Sequence, residues 1–468
     1  MFRKIQPRAK TMIDIIDETR ISQLADGLLK EIKLNSGPHS QQIQLIKSGN
    51  RHLLFIVNGS RLIEISHEVN ATFRKLIAEC DESGISDALN ELGFNRKLYI
   101  NDEALTSPPI HAISLAIAQK CNMGCQYCYA DQGTFGGLSK NMSLETAIES
   151  IDMLLNNCRT NGKAQLTFLG GEPLVNRRVL RHAVEYAAAK AEQKNVHLNF
   201  SITTNGTLVN NDDALFFEKY GFAVTVSLDG IGQDHDKLRP MKNGSASYNR
   251  IIKNIQPLLR LQKRMQVAAR ITVTPGNMSL STVLNELIDM GFHSVGFSPL
   301  LNSTSHTGEM DKDSLDDMLK EMVACGLQFE VNVLNGKRFP FLNILNSIKE
   351  IGKGTHRPYP CGAGAGYLGV SADGELAACH RFVNDENGKM GDITNGVSVA
   401  LQTQWLKDRH VHQQEPCKSC WARYLCGGGC HHEVIHKGRQ ACDYIRGWLY
   451  YSIQTYDRMH RLAPEHFK

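Results

Sequence analysis

The chain has 468 residues, 42% of them hydrophobic, and its 52 basic residues nearly balance 48 acidic ones, leaving a net charge of +4. At roughly 150 residues per domain, that length allows about three domains with sizeable cores. So small a charge on a 52.2 kDa chain argues against a nucleic-acid binder and against a protein held to a membrane surface by electrostatics.

The N-terminal stretch MFRKIQPRAKTMIDIIDETR is basic but has no apolar h-region or small-residue cleavage site, and no long apolar run occurs anywhere. Neither a secretion signal nor a membrane-spanning helix is expected, and a cytoplasmic location follows. Residues 40–66 read as short strands (IQLI, HLLFIV, RLIEIS) separated by Ser48-Gly49-Asn50 and Asn58-Gly59, the latter a strong hairpin signal. Two helical patterns follow over 67–80 and 83–93, with Val69, Phe73 and Ile77, then Ile85, Leu89 and Leu92, at spacings of three and four. Together they describe a winged-helix-like module over residues 1–108, closed by Ser107-Pro108-Pro109. Over 109–305 strand and helix alternate. The strands are expected at 112–117, 164–170, 198–204, 222–228, 267–274 and 294–300, and helices at 143–157, 177–193, 247–263 and 279–290. The strands are near-continuous apolar runs, as a parallel sheet covered on both faces requires, so a doubly wound sheet or an incomplete barrel is expected. In either, chemistry belongs to the loops after the carboxyl ends of the strands. A helical linker spans 306–357, and residues 358–468 form a cysteine-dense segment that ends in an amphipathic helix over 443–463.

The 13 cysteines carry the chemistry. In a reduced compartment, clustered thiols serve metal or redox sites more often than disulfides. Cys121, Cys125 and Cys128 lie in QKCNMGCQYCYADQGTFGG, directly after the first barrel strand. Three thiolates are one short of saturating a tetrahedral zinc or an all-cysteine iron–sulfur cluster. A zinc completed by a distant histidine and a cluster with one open iron both satisfy that spacing. The following strands end in Gly170-Gly171-Glu172-Pro173, Thr204-Asn205-Gly206 and Ser227-Leu228-Asp229-Gly230, which together outline a pocket and favour the cluster.

The Cys-x-x-x-Cys-x-Tyr-Cys loop, GGEP, TTNG and VSLDG resemble the radical S-adenosylmethionine (SAM) superfamily over about residues 112–300. The resemblance implies an α/β fold with a partial (β/α)6 barrel, and a [4Fe–4S] cluster on Cys121, Cys125 and Cys128 whose open iron takes SAM. Reductive cleavage of SAM to a 5′-deoxyadenosyl radical is the implied activity. Carried over by position, Tyr127 flanks the adenine, Gly170, Gly171 and Glu172 bind the methionine ammonium, and Ser227 contacts the ribose. Asn205 joins the same pocket. Arg270, inside the fifth strand, is either a partner for the SAM carboxylate or a member of a structural ion pair.

Seven further cysteines, Cys361, Cys379, Cys417, Cys420, Cys426, Cys430 and Cys442, exceed what one metal can use, so two centres are the minimum. Their grouping resembles the SPASM extension of peptide-modifying radical SAM enzymes. That resemblance implies two auxiliary clusters, one on Cys417, Cys420, Cys426 and Cys442, the other on Cys361, Cys379 and Cys430. The latter set is one short, leaving an open iron or a ligand such as His380 or His431. Three [4Fe–4S] clusters imply about 12 irons per chain. His432-Glu433-Val434-Ile435-His436 matches a zinc-protease pattern, but lies just behind Gly427-Gly428-Gly429, where a long catalytic helix is not expected. Gly362-x-Gly364-x-Gly366 reads as a turn, not a dinucleotide loop. Cys80, Cys158 and Cys325 lie in helical patterns and are expected to be buried small hydrophobes.

The N-terminal module is similar in pattern to elements that bind a leader peptide by β-augmentation. CYADQGTFGG is similar to thioether-forming maturases, including those acting on Cys-rich peptides and on a quinohemoprotein amine dehydrogenase subunit. The expected substrate is a ribosomally made peptide or small protein with a leader, cross-linked from a cysteine sulfur to a carbon, with a flavodoxin or ferredoxin type electron donor and neither nucleic acid nor membrane as partner. The competing readings are a sulfatase-type serine or cysteine oxidase, a carbon–carbon cross-linking cyclase and a non-enzymatic electron carrier.

Overall fold

A computed structural model describes residues 18–94 and 98–467. The reading of the basic N-terminal stretch therefore falls almost wholly outside the described residues. The first element, α1 (Glu18–Asn35), has no counterpart in the sequence reading, although Ile21, Ala25 and Ile32 recur at helical spacing and are buried. It packs on α10 (Lys312–Leu334), helped by ion pairs Lys33–Asp316 at 2.6 Å and Lys320–Asp26 at 2.8 Å.

The expected hairpins form an antiparallel meander, β1 (Ile43–Ser48), β2 (Arg51–Ile56) and β3 (Arg61–Ile65), in register Ile43↔Ile56 and His52↔Ile65. Two helices follow, α2 (His67–Ala78) capped by Ser66 and α3 (Glu82–Glu91) capped by Asp81. The period of two along a strand divides the meander's side chains between two cores. Ile43, Leu45, Leu54 and Ile56 meet Phe73, Ile85 and Leu89 in a small core of their own. Ile46, Leu53, Phe55 and Val57 face the other way into the main core, where Phe55 sets its ring edge-on to Trp421 at 5.9 Å. The meander is thus apolar on both faces because it is sandwiched between its helices and the C-terminal segment.

All six expected barrel strands are present: β4 (Ala112–Gln119), then, after the two-residue β5 (Lys140–Asn141), β6 (Lys163–Gly170), β7 (His197–Thr204), β8 (Ala223–Ser227), β9 (Gln266–Val273) and β10 (Ser294–Pro299). They pair in parallel in the order β10-β9-β8-β7-β6-β4, each beside its sequence neighbour, as a partial barrel demands. Between them run α4 (Leu144–Asn156), α5 (Arg177–Gln193), α6 (Asn211–Tyr220), α7 (Gln233–Leu238), α8 (Tyr248–Leu261) and α9 (Leu280–Asp289). The sequence reading left α6 and α7 unassigned; α6 is bounded by an Asn210–Asp213 capping box and by Gly221 in the left-handed region.

Beyond α10 and α11 (Leu342–Gly352), the structure departs from the boundary drawn at residue 358. Strand β11 (Tyr367–Val370) pairs in parallel with β4, Tyr367 opposite Ala112, and β12 (Glu375–Ala377), β13 (Lys389–Asp392) and β14 (Gly396–Val397) continue the same sheet antiparallel. The cysteine-dense segment is therefore an outgrowth of the barrel sheet's free edge. It goes on through α12 (Val399–Arg409), α13 (Arg423–Cys426) and α14 (His431–Lys437) to α15 (Cys442–Leu462). Helix α15 anchors the outgrowth to α10 around buried Glu330, which accepts from Tyr451 Oη (3.1 Å), Thr455 Oγ1 (2.9 Å) and Arg458 Nε (2.8 Å). Among the described residues, no helix is long and apolar enough to cross a membrane.

Candidate functional site

The first cysteine loop leaves the carboxyl end of β4 and returns as β5, which pairs with Ala118 and Gln119. Its three thiols lie close enough for their charges to interact: burial pushes the ionisation of Cys121, Cys125 and Cys128 up, and each has another of the three as a further opposing charge. Cys121 Sγ accepts from the Met123 amide at 3.4 Å and from Asn205 Nδ2 at 3.6 Å. The structure therefore brings Asn205, at the end of β7, against a thiol.

The GGEP segment has a packing role beyond the ammonium site expected of it. A Cβ on Gly170 would lie 2.3 Å from the Ala118 carbonyl, and one on Gly171 would lie 2.4 Å from that of Lys120. The two glycines let the end of β6 press against the residue preceding Cys121. Glu172 is fully buried, and its carboxylate already accepts from the Leu174 amide (3.1 Å), Thr204 Oγ1 (2.8 Å) and the Asn205 amide (2.7 Å). It pins the ends of β6 and β7 together, a structural duty that motif spacing does not reveal.

Tyr127 is buried, with its hydroxyl accepting from Arg239 Nη1 at 2.8 Å. Arg239 is the residue the sequence reading missed. It follows α7, pairs with fully buried Asp229 at 3.3 Å, and its positive charge favours the thiolate form of all three loop cysteines. Asp229 also accepts from the Thr272 amide at 2.7 Å, joining β8 to β9. The available signal was a lone arginine ten residues past Asp229 in VSLDG, at the end of a short polar helix. Ser227 stands opposite Arg270 across the β8–β9 pair. Arg270 bonds Ser298 Oγ on β10, and burial pulls its ionisation below the ordinary arginine value. Among the described residues no carboxylate lies within ion-pair distance of it.

The other seven thiols fall into two groups. Cys417, Cys420, Cys426 and Cys442 line one cavity of about 60 Å3 together with Cys430, Arg439 and Arg446. The Gly428 and Gly429 amides favour a thiolate at Cys426, and these glycines together with Gly427 take φ of 99°, 79° and 73°. Cys361, Cys379 and Cys430 form the second group. Burial pushes the Cys379 thiol up to about 12, with Cys430 and Cys361 adding like charge, while Arg381 Nη1 donates to Cys430 Sγ at 3.6 Å. His380 gives its Nδ1 to a bond with Tyr367 Oη (2.9 Å), and His431 packs on Trp405 with Nε2 buried and unpartnered. Tyr129 bridges the two regions: it feels the charges of both Cys128 and Cys379, and Arg381 lies over its ring at 5.2 Å. Thr304 and Ser305, past β10, clasp the first loop by bonding the Cys128 and Gln126 carbonyls.

Three clustered thiols and four thiols around one cavity are donor sets that suit iron–sulfur clusters. The radical SAM superfamily model matches residues 115–278, the segment that holds the first loop and the strand ends described above. The chain carries a radical SAM domain over those residues. It is 24% identical over 331 residues to a serine-type anaerobic sulfatase-maturating enzyme of Klebsiella aerogenes, covering 69% of this chain and 80% of the relative. It is 22% identical over 403 residues to the radical SAM cyclopropyl synthase TigE of Paramaledivibacter caminithermalis, covering 81% of this chain and 82% of that one. A solved structure of native anSMEcpe with bound AdoMet and Cp18Cys peptide shares the fold at a TM-score of 0.62 and 19% identity, covering 76% of this chain and all of that one.

In this radical SAM enzyme the three remaining cysteines do not share one fate. Cys325 is buried in α10 as expected. Cys158 is half-buried just past α4, donating to the Leu154 carbonyl. Cys80 is exposed at φ 55°, two residues beyond the end of α2, because the chain reverses there into the cap of α3. The Gly362–Gly366 stretch is a turn, Ala365 donating to Gly362, that delivers the chain into β11.

Proposed function

We propose that this radical SAM enzyme matures a ribosomally made peptide by joining a cysteine sulfur to a carbon, in a reducing, cytoplasmic setting with a flavodoxin or ferredoxin type donor. The supporting observation is a docking place on a module packed against the segment that holds the seven thiols. Among the described residues β3 pairs only with β2, leaving its other edge for an added strand. Beside it lies a groove of about 990 Å3 lined by Ile56, Leu89, Phe94, Leu98 and Tyr99, with Arg61 and Arg423 at hand. Arg423 belongs to α13, within the seven-cysteine outgrowth, and bonds the Gln41 carbonyl at 2.7 Å, so a leader seated in the groove is tied to the catalytic unit.

Cys121, Cys125 and Cys128 would hold the SAM-binding cluster, and the groups of Cys417, Cys420, Cys426, Cys442 and of Cys361, Cys379, Cys430 two auxiliary clusters, His380 or His431 completing the latter. When bound and reduced, such a cluster with SAM supplies a 5′-deoxyadenosyl radical for hydrogen abstraction, and an auxiliary cluster supplies an electron acceptor. Arg239 favours the thiolates needed to hold the first cluster, Asn205 and Tyr127 shape its surroundings, and Arg270 offers donors to a carboxylate. The net change is one hydrogen atom from carbon, one proton from the thiol, one sulfur–carbon bond formed and one electron passed on.

Similarity to sulfatase-maturating enzymes supports a second reading, oxidation of a serine or cysteine without cross-linking. Co-expression with the peptide encoded beside this gene and mass spectrometry separates the two. Loss of two hydrogens with a thiol that no longer alkylates is expected. An aldehyde formed by loss of two hydrogens from a serine, or by loss of hydrogen sulfide and gain of oxygen from water at a cysteine, selects the sulfatase-type reading.

A further inference from the structure

The His432–His436 pair, set aside as a protease motif, has a place in the fold that cluster chemistry does not use. Helix α14 is only seven residues long, yet the i, i+4 spacing sets both imidazoles on one face with ring centroids 4.5 Å apart. A third donor reaches them from a turn fifty residues upstream: Asp385 Oδ2 lies 2.7 Å from His436 Nε2. One ligand atom from each of Asp385, His432 and His436 falls within 4.8 Å of the others.

Two observations distinguish this trio from an ordinary ion pair beside a packed histidine. First, His432 is 92% buried, and its Nδ1 has no hydrogen-bond partner. Ion pairing of Asp385 with His436 leaves that nitrogen unexplained. Secondly, Asp385 is held in position. Its Oδ1 accepts from the Asn387 amide at 3.0 Å and from Asn387 Nδ2 at 2.9 Å, so Oδ2 is the oxygen turned to the histidines. Orienting bonds of this kind are what metal-ligating carboxylates have. Phe382 packs against both rings, at 5.0 and 6.2 Å, and supplies an apolar wall.

We propose that Asp385, His432 and His436 form a mononuclear site for a divalent transition cation, zinc first, separate from the iron–sulfur centres. Two imidazoles and a carboxylate are a borderline donor set that suits zinc, and three protein ligands leave one tetrahedral position open. That position faces a cavity of about 870 Å3 between the first cysteine loop and the outgrowth, whose walls include Tyr129, Asn302, Thr304 and Arg381. Glu433, the general base of the protease pattern, is not available here: it pairs with Arg381 at 2.8 Å. The same pairing balances the nearest cation, so the site's own carboxylate is left to offset the metal's charge. The site is a metal site without the protease.

Holoenzyme purified anaerobically is stripped of loosely held metal with a mild chelator, equilibrated with zinc alone, desalted and assayed for zinc and iron by mass spectrometry. One zinc per chain is expected, with iron unchanged and an anomalous peak at the zinc edge among the three side chains. Asp385→Asn and His436→Asn should abolish zinc retention while keeping full iron content. Asn387→Ala, which removes only the orienting bonds, should weaken zinc binding by roughly 10–100-fold. Zinc retained equally by these variants, zinc gained only as iron is lost, or no retention by iron-replete enzyme would each overturn the site.

Discussion

Replacing Arg239 by methionine tests the centre of the SAM-side architecture. The wild-type guanidinium is 3.3 Å from the Asp229 carboxylate, which is completely buried. At that distance two unit charges attract by on the order of 5 kcal/mol at an effective dielectric of 20. The desolvation of both ions offsets much of this, but the substitution removes one ion only. The buried carboxylate left behind keeps the Thr272 amide and loses its counter-charge, a loss of about 3–5 kcal/mol. The cost depends on pH. Burial already raises the Asp229 pKa above the ordinary value, and Arg239 pulls it back; without Arg239 it rises further. A carboxyl with a raised folded pKa stabilises the fold in its neutral form and loses that contribution as pH climbs through the folded value. The deficit of Arg239→Met therefore widens from mildly acid toward neutral pH. Anaerobic urea unfolding of iron-replete enzyme at several pH values measures it, beside Asp229→Asn and the double variant. The double variant should recover about 2 kcal/mol or more of the deficit and flatten the pH dependence. A deficit below about 1 kcal/mol, or strictly additive variants, would refute the claim that the pair is coupled and desolvated.

Leu98→Asp, at an exposed position on the groove wall, should weaken precursor-peptide binding by about tenfold with iron content and SAM cleavage unchanged; unchanged affinity by calorimetry would remove the groove from leader recognition. The double substitution Cys417→Ser and Cys442→Ser should lower iron by about a third, leaving SAM cleavage measurable as 5′-deoxyadenosine; full iron content would dissolve the four-thiol grouping. Gly427→Ala places a Cβ 2.4 Å from the Pro360 nitrogen at φ 73°, and should cost at least about 1–3 kcal/mol in urea unfolding. Asn205→Ala removes the amide that touches Cys121 Sγ, and should shift the electron paramagnetic resonance signal given by the reduced enzyme on adding SAM; an unchanged signal would remove Asn205 from the cluster's surroundings.

The alternation of apolar runs with amphipathic stretches was sufficient to place every strand of the barrel, although β6 to β9 bury only alternate residues fully and leave the others partly exposed. The meander was legible too: Asn58-Gly59 and alternating side chains specify a hairpin locally. Short pieces were not legible. Residues 367–370 and 375–377 are too brief to carry a period; the first becomes a strand on the unpaired edge of β4, and the second pairs with the first. Helix α1 had a readable apolar spacing, yet its partners on α10 and α15 lie hundreds of residues away. Motif spacing located Glu172, but gave no sign that its oxygens also tie the end of β6 to that of β7.

What the sequence by itself determined is the set of thiols and the loops that carry them, since ligand spacing along a loop is a local property. Which groups meet across the fold was decided only by tertiary structure. Arg239 reaches Tyr127, Tyr129 stands between Cys128 and Cys379, and Asp385 comes beside His432 and His436 because separate elements converge there. Such meetings depend on strand order and on how helices pack, which involve residues far apart in the chain, and no window of sequence contains both partners.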